Sequence, residues 1–384
     1  MKDGTKRAAC GMCAIFVVRR RAHVGAAVLA GIATALLATG CGGGEETSLV
    51  GTVPESDRQS KPGTLWVAHN GSNDVQVIDE ATLEVVARIP VGSVPHDVAV
   101  GDAYAFVPGS GDAGVTMISL TDYSVVATIP VGKGPHDVAI TPDGRLALVT
   151  NTNDGTVTVV DVAARTSVAT IAVGQAPLHV RVAPAGDVAY VANGGSGDVS
   201  VIDLVALEVV RTLPAGKGAH NIALDTDARV AIVTLSGADG IVRIDLDSGR
   251  STSLLITGRT PHNLDISPDG TRAYVANTGD TTVAVVDLTR WRIIATLDVG
   301  GDAHGLLLDS DGRRLYVSSQ GPGTVSVFDL EDRRIERVVT AGAIPDGLAR
   351  GPAAPASVPD SFDPSNGQGA EGGNAGTDHE AHDH

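Results

Sequence analysis

The sequence predicts an all-β fold, a seven-bladed β-propeller built from four-stranded blades. Three observations predict it: a glycine recurs seven times in similar context, each interval holds four short runs rich in Val, Ile and Thr, and the two ends of the repeated region carry complementary parts of one unit. The recurring glycines are Gly92, Gly132, Gly174, Gly216, Gly258, Gly300 and Gly342, spaced by 40 residues once and by 42 residues five times.

Each unit contains four strand-like runs. In one unit, residues 261–277 hold the first two runs, and residues 282–287 and 292–299 hold the others. Ser267-Pro268-Asp269-Gly270 predicts a tight turn between the first two runs, because proline fixes φ and glycine accepts positive φ. Short runs enriched in β-branched side chains favour strands over helices.

The ends of the repeated region predict how the ring closes. The first unit begins at its second strand, residues 65–68, and the last unit stops after its first strand, residues 347–350. Together they make one complete blade, in which the N-terminal strands pair with the C-terminal strand and two sheet edges are covered. The propeller is therefore expected to span residues 64–351.

Two units contain sequences that resemble the YVTN-type β-propeller repeat. They are Tyr274-Val275-Ala276-Asn277 after Pro268-Asp269-Gly270, and Val149-Thr150-Asn151 after Pro142-Asp143-Gly144. The resemblance covers residues 64–351 and implies an architecture more specifically than a function. Proteins similar to this repeat include surface-layer and periplasmic binding proteins, some lactonases and, more distantly, the propeller domain of nitrous oxide reductase, whose copper cluster is held by histidines.

The N-terminus resembles a bacterial lipoprotein signal peptide, predicted over residues 1–40. Three arginines at residues 19–21 precede an apolar run at residues 24–38, which is too short for a transmembrane helix. The resemblance implies that Cys41 is lipid-modified and anchors the protein on the extracytoplasmic side of a bacterial membrane, in the cell envelope; secretion with an unmodified Cys41 is the alternative. Residues 41–63 are predicted to form a flexible tether, and residues 352–384 a disordered acidic tail with histidines.

Composition and net charge exclude several kinds of binding site. The formal net charge is −17, and removing residues 1–40, which carry six Lys/Arg and one Asp, lowers it to −22. An acidic protein of this kind is not expected to bind nucleic acid. All three cysteines lie within the first 41 residues, so the propeller is predicted to hold no disulfide, thiolate metal site or cysteine nucleophile.

Histidine recurs four residues after the repeated glycine. That position holds His96, His136, Leu178, His220, His262, His304 and Asp346. Because these residues begin the innermost strands, the five histidines and Asp346 are predicted to surround the channel mouth. Nitrogen ligands without sulfur suit copper(II), zinc or nickel, and the resemblance to the copper-bearing propeller also favours copper. The alternative is that the repeat copied one ancestral histidine that hydrogen-bonds a loop backbone.

Five other residues are candidates for ligand binding at this face. His179 stands one residue out of register in the third unit, so its side chain is predicted to turn to the other side of its strand. His69 ends a second strand at the same face. Lys133, Lys217 and Arg259 directly follow the repeated glycine and predict a basic spot for a small anionic ligand, with solvated loop cations as the alternative.

The sequence favours a binding or scaffold protein over an enzyme. The propeller glutamates fall away from the histidine face, and no nucleophile elbow, phosphate loop or dinucleotide fingerprint occurs. The expected partners are a membrane, reached through the lipid anchor, and a small anionic ligand or an envelope protein. The alternative is a propeller enzyme of lactonase or lyase type, or a copper-dependent redox enzyme.

Overall fold

The computed structural model describes residues 63–225, 229–252 and 255–355. Within these ranges the chain forms 28 β-strands and one short 3₁₀ turn, Ser236–Ala238. The strands make seven antiparallel four-stranded sheets, which confirms the predicted seven-bladed propeller. The predicted signal peptide, lipidated Cys41, almost all of the tether and most of the acidic tail lie outside the described residues. No helix in the described part of the chain is long and apolar enough to cross a membrane.

The strand bounds follow the repeat. The first three strands are β1 (Thr64–His69), β2 (Asp74–Asp79) and β3 (Val85–Pro90). Blade 1 comprises β4 (Ala99–Val100), β5 (Tyr104–Gly109), β6 (Gly114–Ser119) and β7 (Val125–Pro130). Blade 2 comprises β8 (Pro135–Ile140), β9 (Leu146–Asn151), β10 (Thr156–Asp161) and β11 (Thr166–Ala172). Blade 3 comprises β12 (Pro177–Val182), β13 (Val188–Asn193), β14 (Asp198–Asp203) and β15 (Glu208–Pro214).

The remaining blades have the same order. Blade 4 comprises β16 (Ala219–Asp225), β17 (Val230–Leu235), β18 (Gly240–Asp245) and β19 (Leu255–Ile256). Blade 5 comprises β20 (Pro261–Ile266), β21 (Arg272–Asn277), β22 (Thr282–Asp287) and β23 (Arg292–Asp298). Blade 6 comprises β24 (Ala303–Leu308), β25 (Arg314–Ser319), β26 (Thr324–Asp329) and β27 (Arg334–Thr340). Blade 7 combines β28 (Pro345–Gly351) with β1, β2 and β3.

Blade 7 closes the ring as the sequence predicts. Strand β28 pairs antiparallel with β1, with Leu348 opposite Val67. The carboxylate of Glu80, after β2, accepts hydrogen bonds from Arg350 Nε (2.8 Å) and Nη2 (2.7 Å), and Glu80 Oε2 also accepts one from Gly63 N (3.0 Å). A sheet made from both ends of the chain leaves no unpaired edge at the point of closure.

The apolar core lies between neighbouring blades. Each of the seven blade interfaces in the described structure has its own cluster of buried Val, Ile, Leu and Ala side chains. Central strands such as β9 and β17 are buried along their whole length because they are covered on both faces. Burying a valine or leucine contributes about 1.5–3 kcal/mol, so the interfaces hold the ring together with few aromatic residues.

Tight turns join the two innermost strands of a blade. Gly270, between β20 and β21, has φ 68°, and the hydroxyl of Ser267 donates to Asp269 Oδ1 at 2.6 Å. Blade 1 departs from the pattern, since β4 has only two residues and Pro95 forms an isolated bridge to Gly109. The first strand of this blade is therefore shorter than the repeat predicts.

Candidate functional site

The innermost strands carry a β-bulge at their start, and this bulge builds the site. In blade 2 the register shifts between Pro135 and Val138, so that His136 and Asp137 together oppose Thr150. Regular alternation would send consecutive side chains to opposite faces of the sheet, whereas a bulge re-aims one of them. The same shift occurs in blades 3 to 7. The bulge therefore turns two consecutive residues of each of these blades toward the channel axis.

Hydroxyl groups hold three of the bulges and connect them to the next blade. Thr150 Oγ1 accepts a hydrogen bond from Asp137 N (3.0 Å) and donates one to Leu178 O (2.7 Å) in blade 3. Thr234 in blade 4 and Ser318 in blade 6 make the equivalent pair of bonds. These bonds fix each bulge relative to the bulge beside it.

The five predicted histidines come together at the channel mouth. Ring centroids are separated by 4.7 Å for His96 and His136, 5.9 Å for His136 and His220, and 3.8 Å for both His220–His262 and His262–His304. We call these five histidines and Asp346 the histidine ring. The largest of these four separations faces blade 3, where Leu178 replaces histidine.

Asp346 closes the histidine ring between its first and last imidazoles. Its Oδ2 lies 3.0 Å from His96 Nδ1, and its Oδ1 lies 2.7 Å from His304 Nδ1. Burial alone would raise the pKa of Asp346, but His304 and His96 hold that pKa well below its ordinary value. Asp346 is therefore a carboxylate near neutral pH.

Three imidazoles of the ring carry a nitrogen with neither a hydrogen bond nor an ion pair. The Nδ1 atoms of His136, His220 and His262 are buried and have no hydrogen-bond partner among the described residues. Burial lowers the pKa of all three histidines well below 6.5, and neighbouring histidines lower it further. The imidazoles are therefore neutral at pH 7. An unpaired buried polar atom costs about 1–3 kcal/mol, which a bound ligand would offset.

A second layer of polar side chains lies one residue further along each innermost strand. We call Asp97, Asp137, His179, Asn221 and Asn263 the carboxylate layer; Gly305 and Gly347 fill this position in blades 6 and 7. His179 Nδ1 lies 3.2 Å from Asp137 Oδ2 and 3.8 Å from Asp97 Oδ2. Asn221 Nδ2 lies 3.1 Å from His179 Nδ1 and donates to Asn263 Oδ1 at 2.8 Å.

The prediction that His179 turns away from the other histidines is wrong. Its ring centroid lies 5.3 Å from that of His136 and 5.1 Å from that of His220, and only 2% of the residue is exposed. The bulge in blade 3 lets residue 179 face the axis although it is out of register with the other histidines. His179 therefore connects the carboxylate layer with the gap in the histidine ring.

The pKa values of the two carboxyl groups in the carboxylate layer shift in opposite directions. Burial and the negative charge of Asp137 raise the pKa of Asp97 well above 3.8. Burial acts in the same direction on Asp137, but Arg181, whose Nη1 lies 3.0 Å from Asp137 Oδ2, and His179 lower its pKa. A cavity of about 210 Å³ is lined by Asp97, Asp137, Arg181 and Asn221, among other residues.

His69 does not reach the histidine ring, contrary to its assignment as a ligand-binding residue. It is fully buried in blade 7, where Nδ1 lies 2.5 Å from Asp74 Oδ1 and Nε2 accepts a hydrogen bond from Gly342 N at 3.0 Å. Both nitrogens are thus occupied by structural contacts, and His69 holds together β1, β2 and the loop before β28.

The three predicted cations lie in the loops that lead into the innermost strands. Lys133, Lys217 and Arg259 are exposed. Arg259 Nε pairs with Asp280 Oδ1 at 2.5 Å, so a carboxylate of blade 5 already balances part of its charge. An attraction of anions to the mouth by Lys133 and Lys217 stays a prediction.

Two groups of possible metal ligands differ in how closely their donor atoms lie together. Asp97, Asp137 and His179 offer donor atoms that all lie within 4.8 Å of one another, and among the described residues no other set of three His, Cys, Asp or Glu does so. The histidine ring therefore presents imidazoles around a wider opening, with nitrogens available to a ligand that enters the mouth. Sequence reasoning placed Asp97 and Asp137 at the histidine face but did not predict a separate layer, because it treated the innermost strands as regularly alternating.

Comparison with known proteins places the chain in a family. The family model described as "Lactonase, 7-bladed beta-propeller" matches residues 130–290 and again 166–353, which together cover more than half of the chain. The chain belongs to this family. No curated protein matches this lactonase-family propeller in sequence.

Solved structures share the fold of the lactonase-family propeller. Hydrazine synthase from Kuenenia stuttgartiensis is 21% identical with a TM-score of 0.62, over 66% of this chain and 88% of that chain. A functionally unknown protein from Desulfotomaculum acetoxidans is 17% identical with a TM-score of 0.67, over 76% and 99%. The dihydro-heme d1 dehydrogenase NirN is 18% identical with a TM-score of 0.58, over 77% and 78%. These likenesses establish the architecture alone.

Proposed function

We propose that this propeller binds a divalent transition-metal ion, copper(II) or zinc, at the channel mouth through the histidine ring, and does so as an envelope protein anchored by a lipid on Cys41. The observation that carries the metal proposal is the set of buried, unpaired Nδ1 atoms on His136, His220 and His262. Neutral imidazole nitrogens are the donors that copper(II) and zinc prefer when no thiolate is present.

The ring holds the ion by small reorientations of its side chains. Because no three ring members bring their donor atoms within 4.8 Å of one another, binding requires imidazoles to rotate toward the axis. His136 and His220 flank the position of Leu178, so no other ring histidine lies between them. Asp346 supports the ring from the other side, since its carboxylate orients His96 and His304.

Metal binding is tested by titrating copper(II) into the full chain, with the three cysteines changed to serine and His379, His382 and His384 changed to alanine in every sample. We expect stoichiometric binding with imidazole nitrogen hyperfine structure in the electron paramagnetic resonance spectrum. Replacing both His136 and His220 by leucine, the residue that blade 3 carries at this position, should weaken binding by about tenfold or more.

The matched control is His69→Asn, because His69 is a propeller histidine outside the ring and asparagine stands at its position in blades 2, 3 and 5. This variant should retain the affinity of the parent chain. Absence of stoichiometric binding, or an equal loss in the control, would refute the proposal. For the anchor, Cys41→Ala should release the protein from the membrane fraction; an unchanged distribution would contradict it.

Hydrolysis of a lactone at the same mouth is a second candidate, favoured by membership of the lactonase family. A bound metal ion would supply Lewis acidity toward the ester carbonyl. Whichever of the neutral imidazoles of His136, His220 and His262 does not bind the ion would accept a proton from the attacking water. Turnover of lactones by the zinc-loaded chain, lost in the His136→Leu/His220→Leu variant, would support this activity, and turnover unaffected by that variant would place it elsewhere.

A further inference from the structure

We infer a second cation site one residue deeper in the channel, formed by Asp97, Asp137, His179 and the side-chain oxygen Oδ1 of Asn221. It takes a hard to borderline divalent cation such as manganese(II). The site is distinct from the histidine ring, and it does not depend on copper or zinc binding there.

The donor geometry is the first support. Single ligand atoms from Asp97, Asp137 and His179 all lie within 4.8 Å of one another, and all three residues are buried. Ligands around one divalent ion at bond lengths of about 2.0–2.2 Å are separated by less than this distance. The cavity of about 210 Å³ beside the cluster, lined by both aspartates and by Asn221, gives a cation and bound water space.

Unpaired buried atoms are the second, independent support. Asn221 is 1% exposed, and its Oδ1 has no hydrogen-bond partner among the described residues, although its Nδ2 is placed by His179 and Asn263. His179 Nε2 is likewise buried and unpaired. Native proteins rarely leave such atoms without a partner. A cation in the cavity would give the amide oxygen its missing partner.

The distribution of hydrogen bonds leaves Asp97 available. Asp137 Oδ2 accepts hydrogen bonds from Val180 N and Arg181 Nη1, so this carboxylate has a cationic neighbour. Asp97 Oδ1 accepts a hydrogen bond from Val98 N at 2.7 Å, while its Oδ2 lies 3.8 Å from His179 Nδ1, beyond hydrogen-bond reach. Two buried carboxyl groups thus share one arginine, and a divalent ion between them would balance the charge.

A glycine in the carboxylate layer leaves space for the side chain of Asp97. A Cβ atom at Gly347 would collide with the carboxylate of Asp97, so glycine in blade 7 makes room for this side chain. The donor set of two carboxylates, one imidazole and one amide oxygen is rich in oxygen. Such a set suits manganese(II), whereas the imidazoles of the histidine ring suit copper(II) or zinc.

The test is a titration of the full chain with manganese(II), followed by electron paramagnetic resonance of the free ion and by calorimetry. We expect one manganese(II) bound per chain, with Asp97→Asn weakening the affinity by about tenfold or more. Asparagine occupies this register in blades 4 and 5, so the variant preserves the fold. Copper(II) binding to the histidine ring should be unchanged.

The matched control is Asp265→Asn, which removes another carboxyl on an innermost strand, half-buried, whose bonds go to the backbone N–H groups of Ile266 and Leu308. It should change manganese(II) affinity by less than about threefold. No manganese(II) binding by the parent chain, or an equal loss in Asp265→Asn, overturns the inference while leaving copper binding by the ring untouched.

A second variant separates a cation site from a self-contained ion-pair cluster. Asn221→Asp adds a carboxylate to the layer, so in a cation site the rise in melting temperature caused by manganese(II) should be larger than in the parent chain. If the cluster is neutralised by His179 and Arg181 alone, this variant only destabilises the fold and manganese(II) does not restore it. That outcome would reject the site.

Discussion

At the scale of single residues, histidine occurs in two different environments in this propeller. His69 has both ring nitrogens occupied by Asp74 and the backbone of Gly342, and it is a structural residue. His262 is packed at 3.8 Å between two other imidazoles and has an unpaired Nδ1. The difference lies in their partners, since both histidines lie at the same end of their blades.

His262 makes the stability of the fold depend on pH in a predictable direction. Burial holds its pKa well below 6.5 in the folded state, so only the unfolded chain takes up a proton at this site as the pH falls below 6.5. The contribution of neutral His262 to the free energy of unfolding is therefore fully present above pH 6.5 and is lost as the pH falls below 6.5. Relative to His262→Leu, the parent chain should be about 1.4 kcal/mol less stable at pH 5.5 than at pH 7.5.

Urea unfolding of both chains at pH 7.5, 6.5 and 5.5 measures this difference. Leucine is the appropriate replacement because Leu178 occupies the equivalent position in blade 3. The comparison cancels the contributions of other titrating groups, such as Asp309, whose pKa burial raises to about 6. A stability difference that is independent of pH would contradict the buried neutral state of His262.

At the scale of secondary structure, the β-bulge decides what the sequence could and could not predict. Repeat spacing and strand patterning predicted the blades, the closure and the convergence of the five histidines, because these depend on periodicity alone. The second layer depends on a local departure from period two, which places both His136 and Asp137 on the axis. The polar residue that directly follows the ring position in the units of blades 1 to 5 was a signal of this layer.

Thr234 provides a test of how the bulges position the site. Its hydroxyl accepts from Asn221 N and donates to His262 O, both at 2.8 Å, so Thr234→Val leaves a buried N–H group unpaired and should cost about 2 kcal/mol. Copper(II) affinity should also fall, since the variant frees the bulge that carries His262.

The control for this prediction is Thr158→Val, which removes a buried hydroxyl that accepts a hydrogen bond from Asn151 within the same blade. It should lower the free energy of unfolding without changing metal affinity. Chemical denaturation and copper titration of the two variants distinguish these effects. Equal loss of affinity in both would show that the bulge bonds have no special role in placing the ring.

At the scale of the whole molecule, the propeller is a ring closed by one strand. Every blade interface has its own apolar cluster, and blade 7 obtains its innermost strand from the other end of the chain. The histidine ring depends on the same closure, because Asp346 lies on β28 and joins His96 to His304. Strand β28 therefore completes both the fold and the histidine ring.

Truncation separates the roles of the last segments. Ending the chain after residue 344 removes β28 and exposes Val67 and its neighbours, and it should cost about 5 kcal/mol or more, a large share of the stability of a domain. Ending it after residue 355 keeps β28 and the Glu80–Arg350 contact, and should leave the melting temperature unchanged. Equal melting temperatures for the two truncations would contradict closure by β28.

The bulged inner strand also determines how such a repeat can diversify. Because the register shift delivers neighbouring residues to separate levels of one axis, a substitution at the first residue alters the upper level and leaves the lower level intact. Blade 3 illustrates this independence, with an apolar residue above and His179 below. Gene duplication of such a unit therefore supplies two stacked sets of positions that mutation can explore separately, and the channel can acquire a new donor at one depth without losing those at the other.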